Sequence, residues 1–144
     1  MVDVGDKEVT QREAIAQAIV TMEASTLAKI RGNALAKGDV LAVARVAGVM
    51  AAKRTADLVP LCHPLALNHV GIEFEFQDAP AQIRITTSVR CGGRTGVEME
   101  ALTAASVTGL TIYDMAKAID RHMTLSEVKL LRKTGGKSGT WERS

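Results

Sequence analysis

Ile72-Glu73-Phe74-Glu75-Phe76 alternates apolar and charged side chains without a break, Gln77-Asp78-Ala79-Pro80 reads as a turn, and Ile83-Arg84-Ile85-Thr86-Thr87-Ser88-Val89 alternates again. A period of two puts successive side chains on opposite faces of a strand, so these runs predict an antiparallel hairpin with one apolar face. Glu73 and Glu75 fall on the other face, where Arg84 can pair with either across the strands. A lone hairpin is at best marginal in water. The rest of the chain must therefore supply both further strands and a cover for the apolar face.

Both can be found by periodicity and punctuation. Ser25 to Arg31 predicts a short helix stopped by Gly32-Asn33, and Asp39 can cap a second helix through Val43, Val46, Met50 and Ala51 that must end before Pro60. Thr95 to Arg121 reads as one long helix, and Leu125 to Lys133 as a last strand. The segment from Val9 to Met22 carries two signals. Thr10-Gln11-Arg12-Glu13 matches a capping box ahead of an Ala-rich run, yet Arg12, Ala14, Ala16, Ala18, Val20 and Met22 form one face of an alternating strand. A strand there completes a β-α-β-β-α-β order with the elements that follow, and that consistency decides it. The expected fold is α+β and ferredoxin-like, a four-stranded antiparallel sheet with helices packed on one face.

With 144 residues, 47% of them hydrophobic and 24% charged, the chain is expected to be a single domain over 1–144, with a flexible Gly-rich tail from about 134. A net charge of +2 gives no global basic field, so neither nucleic acid nor a membrane surface is an expected partner. Cys62 and Cys91 are too few for a disulfide scaffold. With His63 and His69 they match no zinc-ligand spacing, so no metal is expected. Neither a membrane span nor a basic-then-apolar leader is visible, which leads to the expectation of a cytoplasmic protein.

Ionisable chemistry concentrates on the long helix. Asp114 and Lys117, three residues apart, share a helical face as a proton-transfer pair, an anion-binding pair or an exposed surface ion pair. Glu98 can be explained as the closing residue of a capping box, Thr95-Gly96-Val97-Glu98, whereas Glu100 has no such structural task. Glu98 and Glu100 are about 200° apart around the axis, so one pocket can use both only where the helix start is irregular. Glu100 and Asp114 lie within about 40° of one face but about 21 Å apart along it, too far for one small pocket on one subunit. A site using both would sit at a subunit boundary. The small residues Ala101, Ala104, Ala105, Thr108 and Gly109 suit either close contact with another helix or ordinary packing on the sheet.

Three further segments offer binding groups. Val59-Pro60-Leu61-Cys62-His63-Pro64 is braced by two prolines, so it can present His63 and backbone amides with little freedom, or serve only as a stiff connection. Gly136-Lys137-Ser138 resembles the end of a P-loop, but Leu131 stands where the first Gly is required and no helix follows, which rejects that motif. What remains is a Gly-rich segment in which Lys133 and Lys137 can meet phosphates, or a solvated tail. Lys37 and the Lys53-Arg54 pair add local positive charge, with an exposed helix face as the plain alternative.

These residues, taken together, resemble a known family. Met1-Val2-Asp3-Val4, Lys37-Gly38-Asp39-Val40, Ala51-Ala52-Lys53-Arg54-Thr55, Leu61-Cys62-His63-Pro64-Leu65, Thr95 through Thr103 and Ile112-Tyr113-Asp114-Met115 are similar, in order and over nearly the whole chain, to MoaC proteins. The resemblance implies conversion of 3′,8-cyclo-7,8-dihydroguanosine 5′-triphosphate to cyclic pyranopterin monophosphate with release of pyrophosphate, in molybdenum cofactor biosynthesis. It also implies a homohexamer, a trimer of dimers with active sites at subunit interfaces, and no cofactor. By motif it makes Asp114, Lys117 and Lys37 catalytic, and Leu61, Cys62, His63, Met99 and Glu100 substrate-binding. Arg12, Glu98, Lys53, Lys133 and Lys137 become supporting contacts. One departure is Ala56, where the family has Trp; another is the short tail. The competing reading is a nucleotide-binding regulatory or oligomerisation domain. An RNA-binding sheet is disfavoured, because Phe74, Phe76, Tyr113 and Trp141 are the whole aromatic supply and the two Phe belong to the apolar hairpin face.

Overall fold

Residues 1–144 are described by a computed structural model. The ambiguous N-terminal segment is a strand, β1 (Thr10–Thr21), and the face named from its alternation is the buried one, with Ala14, Ala16, Ala18 and Val20 at 0% exposure. The capping box at Thr10 is not used, because β1 is paired with β3 along its whole length from Thr10 to Thr21. The hairpin is β2 (His69–Asp78) and β3 (Ala81–Gly93). Ile83, Ile85, Thr87, Val89 and Cys91 of β3 point into the core. Gln82, Arg84, Thr86, Ser88 and Arg90 alternate onto the more open face. Arg84 reaches Glu75 across the strands at 3.8 Å.

The helices are α1 (Ala24–Arg31), α2 (Val40–Lys53), a single turn α3 (Thr55–Leu58), and α4 (Glu98–Ala116). Two strands close the chain, β4 (Thr124–Thr134) and β5 (Trp141–Glu142). The sheet order is β2-β3-β1-β4-β5, with every neighbouring pair antiparallel. The expectation of four strands is corrected to five. The tail turns back after Gly139 and pairs Trp141 with Lys133 and Glu142 with Arg132, a return that its Gly-rich composition concealed. The long helix is also shorter than expected. It starts at Glu98 after Val97 and is over by Ala116, beyond which Asp120 and Tyr113 hold a turn before β4.

What seats α4 is the smallness of its inner side. Ala101, Ala104, Ala105 and Thr108 are fully buried. Thr87 donates its hydroxyl to the Ala101 carbonyl at 2.8 Å. A Cβ on Gly109 would collide with Leu125 of β4, and one on Gly48 of α2 with Thr108 and Ile72. Of the two uses offered by this small-residue face, packing inside the chain is the one realised. α2 runs antiparallel to α4, burying Val40, Ala44, Gly48, Ala51 and Ala52. Val43, Val46 and Met50 instead face outward, 46%, 59% and 52% exposed. Asp39 caps α2 as its position suggested, accepting from the Ala42 N–H at 3.0 Å.

The N-terminus of α1 has no cap of its own; Asp120 supplies one from across the fold. Its carboxylate accepts from the Glu23 N–H (2.9 Å), the Thr26 hydroxyl (3.0 Å) and the His122 N–H (3.0 Å). Burial pushes this carboxyl up, but the three donors outweigh it and hold it below the ordinary range. A group with a lowered folded-state pKa stabilises above the unfolded-chain value, about 3.9 for Asp, and loses that contribution as pH falls through its folded value. Asp120→Ala is therefore expected to lose about 2 kcal/mol near neutral pH. The loss should become smaller in strong acid, where its charge-linked part is gone and the unpaired donors remain, as read from urea midpoints at the two pH values.

Candidate functional site

The ionisable residues singled out on the sequence collect at the two ends of α4. At the N-terminal end, β1 and β4 run side by side in a register that sets Ala14 opposite Lys133. Arg12 and Lys133 thus emerge on the helix-covered side of the sheet, next to the start of α4. There Glu98 accepts from Lys133 Nζ at 2.8 Å, with both side chains about two-thirds or more buried. The capping-box role of Glu98 is corrected by this contact: Thr95 lies outside the helix, Val97 is the residue before its first turn, and no side chain caps it.

Two contiguous cavities open at this end. One, of about 990 Å³, has no hydrophobic lining and contains Arg12, Glu98, Lys133 and Lys137 together with Gly135 and Gly136. The second, of about 530 Å³, is more apolar and contains Leu61, Cys62, His63, Met99 and Glu100. Lys7, Thr95, Gly96 and Glu98 line both. The angular argument against Glu98 and Glu100 sharing a pocket is thereby overturned. Glu98 is the first helical residue, so its side chain extends past the helix end into the common wall instead of being bound to a helical face. The proline-braced segment supplies the outer wall of the second cavity, as its stiffness allows.

Glu100 is only 4% exposed, and no cation pairs with its carboxylate. Burial pushes its carboxyl up, its own N–H opposes this, and the neighbouring Glu98 adds to the rise. It can hold a proton at a pH where an exposed glutamate has lost it. Cys62 beside it is pushed up by burial and by the charge of Glu100, as is the deeper Cys91. Neither thiol is activated as a nucleophile by its surroundings.

At the opposite end, Lys37, from the loop before α2, donates to Asp114 Oδ2 at 3.3 Å and to the Asp114 carbonyl at 3.0 Å. Lys117 donates to Asp114 Oδ1 at 2.6 Å. All three side chains are about half exposed. The group is an open Lys-Asp-Lys cluster. Hydrogen bonds from Lys117 first, then Lys37, with their charges behind them, hold the Asp114 carboxyl below its ordinary value.

Lys53 closes α2 and lines neither cavity. Because α2 is antiparallel to α4, it stands exposed at the Glu98 end. Sequence reasoning missed Lys7 and Arg94, both lining the polar cavity, where Arg94 Nε donates to the Lys7 carbonyl at 3.1 Å. It also missed Met1, Val2 and Val4 in the second cavity. Met1 to Val4 had entered only as part of a motif, and no local periodicity marks residues 1–9.

A sheet backed by a helix of small residues, with a polar cavity and a buried carboxylate at one end of that helix and a Lys-Asp-Lys cluster at the other, defines an α+β protein equipped for proton transfer and anion binding. The chain belongs to the MoaC family, whose model matches residues 1–136. It is 58% identical over 143 residues, 99% of this chain and 88% of the relative, to a cyclic pyranopterin monophosphate synthase of Chloroflexus aurantiacus. It is 62% identical over 142 residues to one of Herpetosiphon aurantiacus, covering 99% of this chain and 87% of that protein. A Brucella ovis protein of the same name is 57% identical over 141 residues, covering 98% and 86%.

An NMR titration of the Asp114 carboxyl checks the cluster. Its midpoint is expected below the ordinary 3.8 and should move up toward it in Lys117→Ala, with a smaller move in Lys37→Ala.

Proposed function

We propose that this chain acts as a cyclic pyranopterin monophosphate synthase in molybdenum cofactor biosynthesis, a lyase that takes 3′,8-cyclo-7,8-dihydroguanosine 5′-triphosphate and releases pyrophosphate. The observation that carries the reading is family membership over nearly the whole chain, with the motif residues gathered into two clusters suited to that chemistry. The reaction opens the five-membered ring of the purine, closes a pyrazine ring, and lets a sugar hydroxyl attack the α-phosphate. Proton transfer and charge neutralisation suffice for these steps.

In this reading the polar cavity takes the triphosphate. Arg12, Lys133 and Lys137 meet its oxygens, and Lys53 adds charge at the rim. The adjoining cavity takes the base between Leu61, Cys62, His63 and Met99, with Glu100 on its polar edge. Asp114, Lys117 and Lys37 exchange protons at the rearranging rings. No single subunit can bring Glu100 and Asp114 to one substrate, because about 21 Å of helix separates them. The site is therefore completed by a second copy of this chain, within a homohexamer built as a trimer of dimers. The outward Val43, Val46 and Met50 of α2, with Leu110 of α4 at 57% exposure, supply an apolar surface for such a copy. The core is read as ferredoxin-like with β5 added at its edge, the chain as one domain, and its place of action as the cytoplasm. No helix is long and apolar enough to cross a membrane.

Incubating the protein with the cyclised substrate should release pyrophosphate and yield, after oxidation, a fluorescent pterin. If neither product forms with folded protein and verified substrate, a nucleotide-binding regulatory role takes its place. Lys117→Ala should lower turnover by about 10²- to 10⁴-fold with the oligomer intact, the range expected for one acid–base group. Near-normal turnover removes Lys117 from the chemistry. Mixed oligomers of Lys117→Ala and Glu100→Ala subunits should recover activity that neither variant has alone; an inactive mixture rejects a site shared between copies.

A further inference from the structure

Arg12 is held in an unusual way for a cation in a cavity that also contains carboxylates. Glu13 is engaged by Arg90 and Glu98 by Lys133, Asp3, Asp6 and Glu8 also line the cavity without an ion pair, and Arg12 pairs with none of the five. Its one hydrogen bond inside the chain runs from Nε to the Gly93 carbonyl at 3.3 Å. The rest of its placement comes from shape. Gly135 and Gly136, at φ +99° and +76°, wrap the side chain where the chain leaves β4. A Cβ on Gly135 would collide with the Gln11 carbonyl and lie 2.9 Å from Arg12 Cδ. A Cβ on Gly136 would overlap Arg12 Nη1 and lie 2.9 Å from Cζ and 3.2 Å from Nη2. The guanidinium thus lies flush against the backbone at 136, in the space that any side chain there would take. Gly139 has the same sign of φ, +63°, but open space around it, so a positive φ alone does not create the contact.

We propose that Gly136 is a positioning residue for anion recognition: its bare backbone fixes the plane of the Arg12 guanidinium in the polar cavity, so that the free Nη edge meets phosphate oxygens two at a time. The proposal rests on reading that cavity as the triphosphate site. A guanidinium recognises phosphate through a planar fork, which loses its value when the plane rotates. Holding the fork by backbone contact and one carbonyl, with no carboxylate, leaves its full charge for the ligand.

Gly136→Asn isolates the effect, because Asn tolerates a positive φ while adding the Cβ. Gly139→Asn is the control for backbone conformation. The probe is inorganic triphosphate, with Kd measured by calorimetry and no turnover required. Gly136→Asn should weaken binding about tenfold, the loss of one charge-assisted hydrogen bond. Gly139→Asn should stay within about twofold, as a surface substitution does. In an Arg12→Ala background, Gly136→Asn should add nothing further. Arg12→Lys in the otherwise unchanged chain keeps the charge without the fork and should also lose about tenfold, which tests the held fork even where Gly136→Asn does not fold. Unaltered binding in Gly136→Asn, a full loss that persists with Arg12→Ala, or retained affinity in Arg12→Lys overturns the proposal. Failure of the unsubstituted protein to bind triphosphate overturns the phosphate reading of the cavity, and this inference with it.

Discussion

The close approach of α4 to the sheet and to α2 is the constraint on which the other features depend. It is made by absence of side chain: Gly48 against Thr108, Gly109 beneath Leu125, and a row of alanines on β1 facing alanines on α4. Interiors pack like organic crystals, so even a methylene added at such a contact would force the elements apart. A 19-residue helix seated this firmly is a rod of about 28 Å. Its ends set where the ionisable groups can be.

Those ends are electrostatically unlike. Asp114 stands in solvent between two lysines, which keep it an anion to lower pH than usual. Glu100 is out of solvent with no cation beside it, and its proton is retained to higher pH. Two carboxylates on one helix are thus pushed in opposite directions by environment alone, a division suited to acid–base work in which one group remains charged and another carries a proton. The walls around Glu100 come largely from segments without regular structure: the proline-braced loop, the N-terminal residues Met1, Val2, Val4 and Lys7, and Thr95-Gly96 ahead of α4. Catalytic architecture often divides this way, with a rigid scaffold holding the reactive groups and loops shaping the space.

Much of this was legible in the chain. Period-two alternation identified β2 and β3 and their buried faces, because one residue of slip would turn every apolar side chain to solvent, whereas β1 was decided by its fit to the order of the other elements. The stop at Gly32-Asn33 and the cap at Asp39 followed from local chemistry, and the helix-axis distance between Glu100 and Asp114 followed from geometry alone. Three features were not legible. β5 is two residues long and exists only because a turn returns it to β4. The true start of α4 was misread because a capping-box pattern competes with the Lys133 contact, and only the fold brings Lys133 within reach. The outward set of Val43, Val46 and Met50 was invisible because the smaller Ala44 and Gly48, not the bulkier residues, face the core.

The sequence by itself determined the α+β class, the strand faces, the helix that carries the chemistry and the identity of its charged residues, since period, propensity and spacing are properties of neighbours along the chain. Only the tertiary structure decided that Arg12, Glu98, Lys133 and the tail enclose one cavity, that Lys37 reaches Asp114, and that Gly136 lies against the Arg12 guanidinium. Those contacts join residues tens to more than a hundred positions apart, and nothing in local preference specifies which distant side chains a folded sheet brings together.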